Sequence, residues 1–159
     1  MNKDLILQKI VAALSAERDL LLRAARASHA EATHEQSKAD NKYDTRGLEA
    51  SYLARGQAQK VADVEEAIEQ FERLQPRTFT PEIGIDVGAL VEVKSDRHHS
   101  FYFIGQRSGG LEIDHDEQEI LVITPQSPLG QQLIGKKQGQ RLQIIIAGSR
   151  QTLHILSVT

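Results

Sequence analysis

Gln75-Pro76-Arg77-Thr78-Phe79-Thr80-Pro81 divides the chain, and the fold follows from that division. All four prolines, Pro76, Pro81, Pro125 and Pro128, lie within it or beyond it, and nine of the eleven glycines follow Pro76. The 75 residues before Pro76 hold no proline and only Gly47 and Gly56. Nothing in that stretch removes a backbone donor or fixes φ against a helical ladder, so it reads as mostly helix. The division therefore predicts a helical arm over residues 1–75, a linker over 76–81 and a compact, turn-rich domain over 82–159.

On the N-terminal side, Leu7, Leu14 and Leu21 recur every seven residues, with Ile10 between the first two and Val11 beside it. Ala24 and Ser28 continue the register with smaller side chains. A second run mirrors the order: Ala50, Ala54 and Gln57, then Val61, Val64, Ile68 and Phe71 at steps of three and four. This is the pattern of two antiparallel helices interlocking along a seam, bulky near Pro76 and slender toward the reversal. Two helices of about 30 residues at about 1.5 Å per residue give an arm of about 45 Å. The polar middle, His29 to Tyr43, must contain the turn, and Ser37, Asp40 and Asn41 are suited to cap a helix start, which places the tip at about residues 33 to 42. Glu31, Glu35, Asp40 and Asp44 are then acids at the end of a long reach, a donor set for a hard cation such as Mg²⁺ or simply a solvated turn that satisfies the helix dipole. His29 and His34, five apart, do not share a helix face and read as exposed polar residues.

On the C-terminal side the period changes. Residues 89–93, 100–104, 119–123, 142–146 and 152–156 read as strands, separated by Ser95-Asp96, Ser108-Gly109-Gly110 and Ala147-Gly148-Ser149. Ser127-Pro128-Leu129-Gly130-Gln131-Gln132-Leu133-Ile134-Gly135 has serine at the cap, proline at the first helical position and glycine just past the end, which spells one short helix. The expectation is an antiparallel sheet of about five strands packed on one helix, an α+β arrangement.

Composition narrows the function. At 159 residues and 40% hydrophobic content the chain is ordinary for a globular protein. No run approaches membrane-spanning length, and Met1-Asn2-Lys3-Asp4 lacks the apolar core of a signal peptide, so no membrane association is expected. The absence of cysteine excludes disulfides, thiolate metal sites and cysteine nucleophiles, and suits a reducing cytoplasm. A formal charge of −3 argues against holding free nucleic acid by phosphate neutralisation; work on nucleic acid would go through another protein, without direct sequence-specific binding.

The stretch Ile123-Thr124-Pro125-Gln126-Ser127-Pro128-Leu129-Gly130-Gln131-Gln132-Leu133-Ile134-Gly135-Lys136-Lys137-Gln138-Gly139-Gln140-Arg141-Leu142 resembles the C-terminal domain of the Gre-type transcription elongation factors. Their motif runs serine-proline, a few residues, leucine, glycine-lysine, then a glycine before the next strand, and Ser127, Pro128, Leu133, Gly135, Lys136 and Gly139 match it. The family joins an N-terminal antiparallel coiled coil to an FKBP-like domain, so the resemblance covers nearly the whole chain. It implies a protein that is not itself an enzyme. The globular domain docks on bacterial RNA polymerase at the rim of its secondary channel, through Ser127, Pro128, Leu129, Lys136 and Lys137. The tip acids then help hold the second catalytic Mg²⁺ of the polymerase, which is shared rather than stably bound, and the polymerase cleaves its own backtracked transcript. Cleavage-competent members carry an aspartate, two residues, then glutamate-asparagine and a nearby tyrosine. Here Asp40-Asn41-Lys42-Tyr43-Asp44 supplies the acid-asparagine pair and the tyrosine, with Ser37 at the place of the first aspartate. The resemblance sets Asp40 at the family's glutamate, with Glu35 or Asp44 as its partner.

Three other constellations read as structural. Asp114-His115-Asp116-Glu117 is expected to be a charged turn, because adjacent residues in a hairpin point in different directions. His98-His99 reads as a solvent-facing loop. Prolyl isomerase chemistry needs an apolar, aromatic-lined pocket, and this domain offers only Phe79, Phe101, Tyr102 and Phe103 without a tryptophan.

Overall fold

A computed structural model describes residues 1–33, 46–95, 98–146 and 148–159. The chain forms two compact units, one of Met1–Ile10 with Gln70–Thr159 and one of Val11–Glu69.

Helix α1 spans Lys3–Thr33 and α2 spans Arg46–Arg73, 31 and 28 residues, so each is about 42 to 46 Å long at about 1.5 Å per residue. Asn2 caps α1: its Oδ1 accepts from the amides of Asp4 (3.0 Å) and Leu5 (3.4 Å), and Asp4 adds an acid to the first turn. The start of α1 and the end of α2 share a unit, and Ser28 meets Gln57, so the helices run antiparallel as a hairpin. The apolar stripe is the one expected: Leu7, Ile10, Leu14, Val61, Ile68 and Phe71 are all buried. Within Val11–Glu69 the small positions also pack. Ser28, buried, donates its hydroxyl to Gln57 Oε1 at 2.9 Å, a polar contact that rewards one register of the hairpin over its neighbours. Gly47 lies inside α2.

The other unit is built on a six-stranded sheet of order β3-β4-β2-β1-β6-β5, with β1 Leu90–Lys94, β2 His99–Ile104, β3 Glu112–His115, β4 Gln118–Ile123, β5 Arg141–Ile146 and β6 Ser149–Val158. The five expected strands are present, each end within three residues of the expected one. The sixth, β3, escapes a pattern reading because Glu112-Ile113-Asp114-His115 has one strongly apolar residue, yet that residue, Ile113, is buried opposite Ile120. Its presence explains the single parallel pair. β3 turns back on β4 through Asp116-Glu117, so β4 leaves beside β2 in the same direction, with Phe101 opposite Ile120 and Ile104 opposite Ile123. Both turn residues take positive φ, 52° and 61°, the mirror-image turn of a two-residue hairpin made without glycine.

Strand alternation separates two faces. One carries Val91, Val93, Ile104, Ile123, Leu142, Leu153 and Ile155, and helix α3, Pro128–Leu133, closes it with Leu133, which has no exposed surface. The opposite face carries Leu90, Phe103, Ile113, Ile120 and Val122, all buried. In the same unit, the Phe71 ring stands 6.3 Å from that of Phe103, and Lys9 Nζ donates to the Asp114 carbonyl at 2.6 Å. The helix ends are thus part of this core.

The prolyl linker is pinned to this unit. Lys3 Nζ donates to the carbonyls of Arg77 and, at 3.4 Å, Gly88, and sits 4.9 Å from the centre of the Phe79 ring. Arg77 lies 4.7 Å from the same ring and pairs with Asp86 at 3.1 Å. Burial, and secondarily the Arg77 guanidinium, hold the Lys3 ammonium below the usual lysine range, with Asp4 pulling the other way.

Candidate functional site

The segment Thr124–Gly139 is shaped by a series of close constraints on its backbone. Ser127 Oγ accepts from the Gly130 amide at 3.0 Å and donates to the Thr124 carbonyl at 2.8 Å, so one hydroxyl closes the turn that launches α3. Pro128 occupies the first helical turn, where its missing N–H costs nothing. Gly130 is dictated by contact: a Cβ there would lie 1.9 Å from the Thr124 carbonyl oxygen. Beyond α3, Gly135 takes φ +77° as the helix terminator, and its amide donates to the Ile85 carbonyl at 2.8 Å while the Ile85 amide donates to Lys136 O at 2.7 Å. That pair of bonds ties the segment to Gly84-Ile85, where a Cβ on Gly84 would meet Gly135 O at 2.9 Å. Gly139, φ +83°, donates to Ile155 O at 2.8 Å and so returns the chain to β6 before β5 begins.

These contacts sort the expected docking residues. Ser127 is half-buried and used by the cap, and Leu129 is half-buried against the core. Pro128, Lys136 and Lys137 are exposed, and the Lys137 amide is anchored by Gln140 Oε1 at 2.8 Å while its side chain remains outside. The structure brings all five onto one continuous segment around α3. The matched Leu133, Gly135 and Gly139 serve packing and turn geometry.

Asp40, Asp44 and Glu35 lie outside the described residues, as do His34, Ser37 and most of the expected turn, 33 to 42. Thr33 is the last described residue of α1, its hydroxyl donating to the His29 carbonyl at 3.0 Å, and His29 is exposed. Among the described residues, no three His, Asp or Glu side chains come together as a metal site. Also among them, no helix is long and apolar enough to cross a membrane.

Two sequence readings change. His115 is not a turn residue but the end of β3, and it is buried, with Nε2 3.2 Å from an Asp116 carboxylate oxygen but without the alignment of a hydrogen bond. Its burial follows from register: it shares a face with Ile113, under which the sheet is closed. His99 belongs to β2, exposed, with Nδ1 3.3 Å from Glu92 Oε1.

Comparison with known proteins gives one family match and several structural likenesses. Residues 82–159 match the family model "Transcription elongation factor, GreA/GreB, C-term". No curated protein sequence matches the chain. Among solved structures, GreA factor homolog 1 (Gfh1) of Thermus thermophilus is 16% identical, covering 94% of each chain, with a TM-score of 0.39. Thermus aquaticus Gfh1 is 19% identical, over 95% of this chain and 92% of that one, also at 0.39. A prokaryotic GreA/GreB elongation factor from Nitrosomonas europaea is 16% identical over 60% of this chain and 78% of that one, at 0.39.

Proposed function

We propose that this chain, whose residues 82–159 match the family model of the GreA/GreB elongation-factor C-terminal domain, regulates RNA polymerase through the secondary channel. The segment around α3 docks, and the helical hairpin carries the tip toward the catalytic centre. The observation that supports this most is the coexistence of the family domain with two helices of 31 and 28 residues, far longer than a core of this size requires. Pro128, Lys136 and Lys137 are the exposed members of the docking segment, and paired cations facing an acidic rim speed and orient association.

At the tip, Asp40 with Asp44 or Glu35 would hold a Mg²⁺ shared with the polymerase, which supplies the activated water for hydrolysis of the backtracked transcript. The chain's own part is charge and positioning; it is not an enzyme by itself. It is expected to act in the cytoplasm, where the polymerase works. A second reading, channel occupancy without cleavage, is favoured by one feature, Ser37 in place of the family's first aspartate.

Transcript cleavage on stalled, backtracked complexes separates the two. Stimulation by the wild type that is lost in Asp40→Ala, with polymerase binding retained, supports cleavage. Binding without stimulation in either protein leaves channel occupancy, and no binding to polymerase refutes both.

A further inference from the structure

The second face of the sheet is only half covered. Toward β3 and β4 it is closed by buried apolar residues, whereas over β1, β6 and β5 it is open and basic. Register fixes the arrangement: Arg141 of β5 is opposite His154 of β6, His154 is opposite Lys94 of β1, and Lys94 is opposite His99 of β2. Residues directly opposite project to the same face, so these four form one row across four strands. Arg141, Lys94 and His99 are exposed and His154 is half-buried. Along the same face, at two-residue steps, β5 adds Gln143 and Ile145, and β6 adds Thr152 and Arg150. Ile145 is 73% exposed, the most exposed of the large apolar side chains among the described residues. The one acid in these four strands is Glu92, and it is engaged, by His99 at 3.3 Å and by the Ser157 hydroxyl at 3.0 Å.

β5 is one of the two edge strands, paired with β6 on one side and presenting a second row of backbone N–H and C=O groups on the other. An edge of this kind accepts an extended segment by strand addition. We propose that β5 and the open basic half-face bind an extended acidic segment of a partner protein. The segment pairs with the β5 edge, sets its carboxylates toward Arg141, Lys94 and Arg150, and packs an apolar side chain on Ile145. This surface is separate in residues from the α3 segment and does not depend on it.

Charge complementarity selects an acidic ligand, and two observations select protein over nucleic acid. Lys94, Arg141 and Arg150 are three permanent cations on a chain of net charge −3, too few to hold a phosphate backbone at ordinary salt. Strands β1, β6 and β5 carry no Phe or Tyr on which bases could stack, and on β2 Phe103 is buried and Phe101, beside His99, is half-buried.

The test is amide chemical-shift mapping of the full chain titrated with an oligo-glutamate peptide at low salt, with Lys94→Glu/Arg141→Glu and Ile145→Ser as variants. Both sets of side chains are exposed, and circular dichroism checks that the variants fold. The expected result is shifts confined to β5, β6 and β1, slowed exchange of the outward β5 amides, and an affinity about tenfold lower in the charge-reversed variant. Lys136→Glu/Lys137→Glu should bind the peptide as the wild type does. The proposal is overturned by shifts centred on α3, by no binding, or by affinity unchanged on charge reversal. It is equally overturned if oligo-thymidine displaces the peptide more effectively than glutamate itself, which would make the surface a nucleic-acid face.

Discussion

Gly130→Ala is the most searching perturbation of the segment around α3, because it adds one methyl group where none fits. The new Cβ would stand 1.9 Å from Thr124 O, 2.8 Å from Thr124 C and 2.9 Å from Ser127 Oγ. Two of these are backbone atoms, so no rotamer change relieves the overlap, and the Thr124–Ser127 turn must open. Opening it breaks the Ser127 bonds to the Gly130 amide and the Thr124 carbonyl, at 3.0 and 2.8 Å. The helix cap is worth about 1 kcal/mol and the second hydrogen bond about 1 kcal/mol. Backbone displacement adds about 1 to 2 kcal/mol. The expected loss is about 3 to 4 kcal/mol, which in a chain of this size lowers the melting temperature by about 10 °C. Differential scanning calorimetry of wild type and variant reads it directly. Ser127→Ala, which removes the hydroxyl without the clash, should cost about half as much. A Gly130→Ala melting point within about 2 °C of wild type would refute the claim that this glycine is set by contact, since a single kcal/mol already moves Tm by more.

Other outcomes follow from the same contacts. Ser28→Ala should destabilise the hairpin by about 1 kcal/mol, with Ser28→Ala/Gln57→Leu costing less than the sum of the two single changes in helix melting followed by circular dichroism. Replacing Asp116-Glu117 by Asn-Gly should stabilise the β3-β4 hairpin by about 1 kcal/mol, because φ values of 52° and 61° then fall on residues that accept them; urea titration measures it. Lys3→Met should flatten the alkaline limb of stability. With the folded-state Lys3 below its ordinary 10.5, the unfolded chain binds more protons between those two values, so wild-type stability climbs with pH across that window and the variant's does not, as denaturation at a series of alkaline pH values would show.

What could be read from the residues, and what could not, divides along physical lines. The helical arm was legible because Leu7, Leu14, Val61, Ile68 and Phe71 recur at helical spacing with no proline to interrupt them, and all five are buried. The short helix was legible because Ser127, Pro128 and Gly135 each have one conformational task, and the structure shows each performing it. β3 was not, since an edge strand with one face charged needs only a single apolar residue, Ile113, to hold it in place. The burial of His115 and the basic row from Arg141 to His99 were hidden for another reason. Both depend on which strands lie side by side, and β1 is the neighbour of β6 through a pairing of strands far apart in sequence, Lys94 opposite His154. The pinning of the linker by Lys3 is likewise a contact over 74 positions that no local pattern encodes. In the segment around α3 the motif residues divide by role: Leu133, Gly135 and Gly139 keep the shape, and Pro128, Lys136 and Lys137 face outward.

The central claim is that the helical arm reaches the catalytic centre of RNA polymerase while the domain at 82–159 holds the rim. Photo-crosslinking from a benzophenone side chain introduced at Lys42, in the complex with polymerase and a backtracked transcript, tests it most directly. Crosslinks are expected to the transcript 3′ end or to polymerase segments bordering the active site, abolished when Pro128, Lys136 and Lys137 are replaced together. Crosslinks confined to the outer surface of polymerase, or unchanged by that triple replacement, would contradict it.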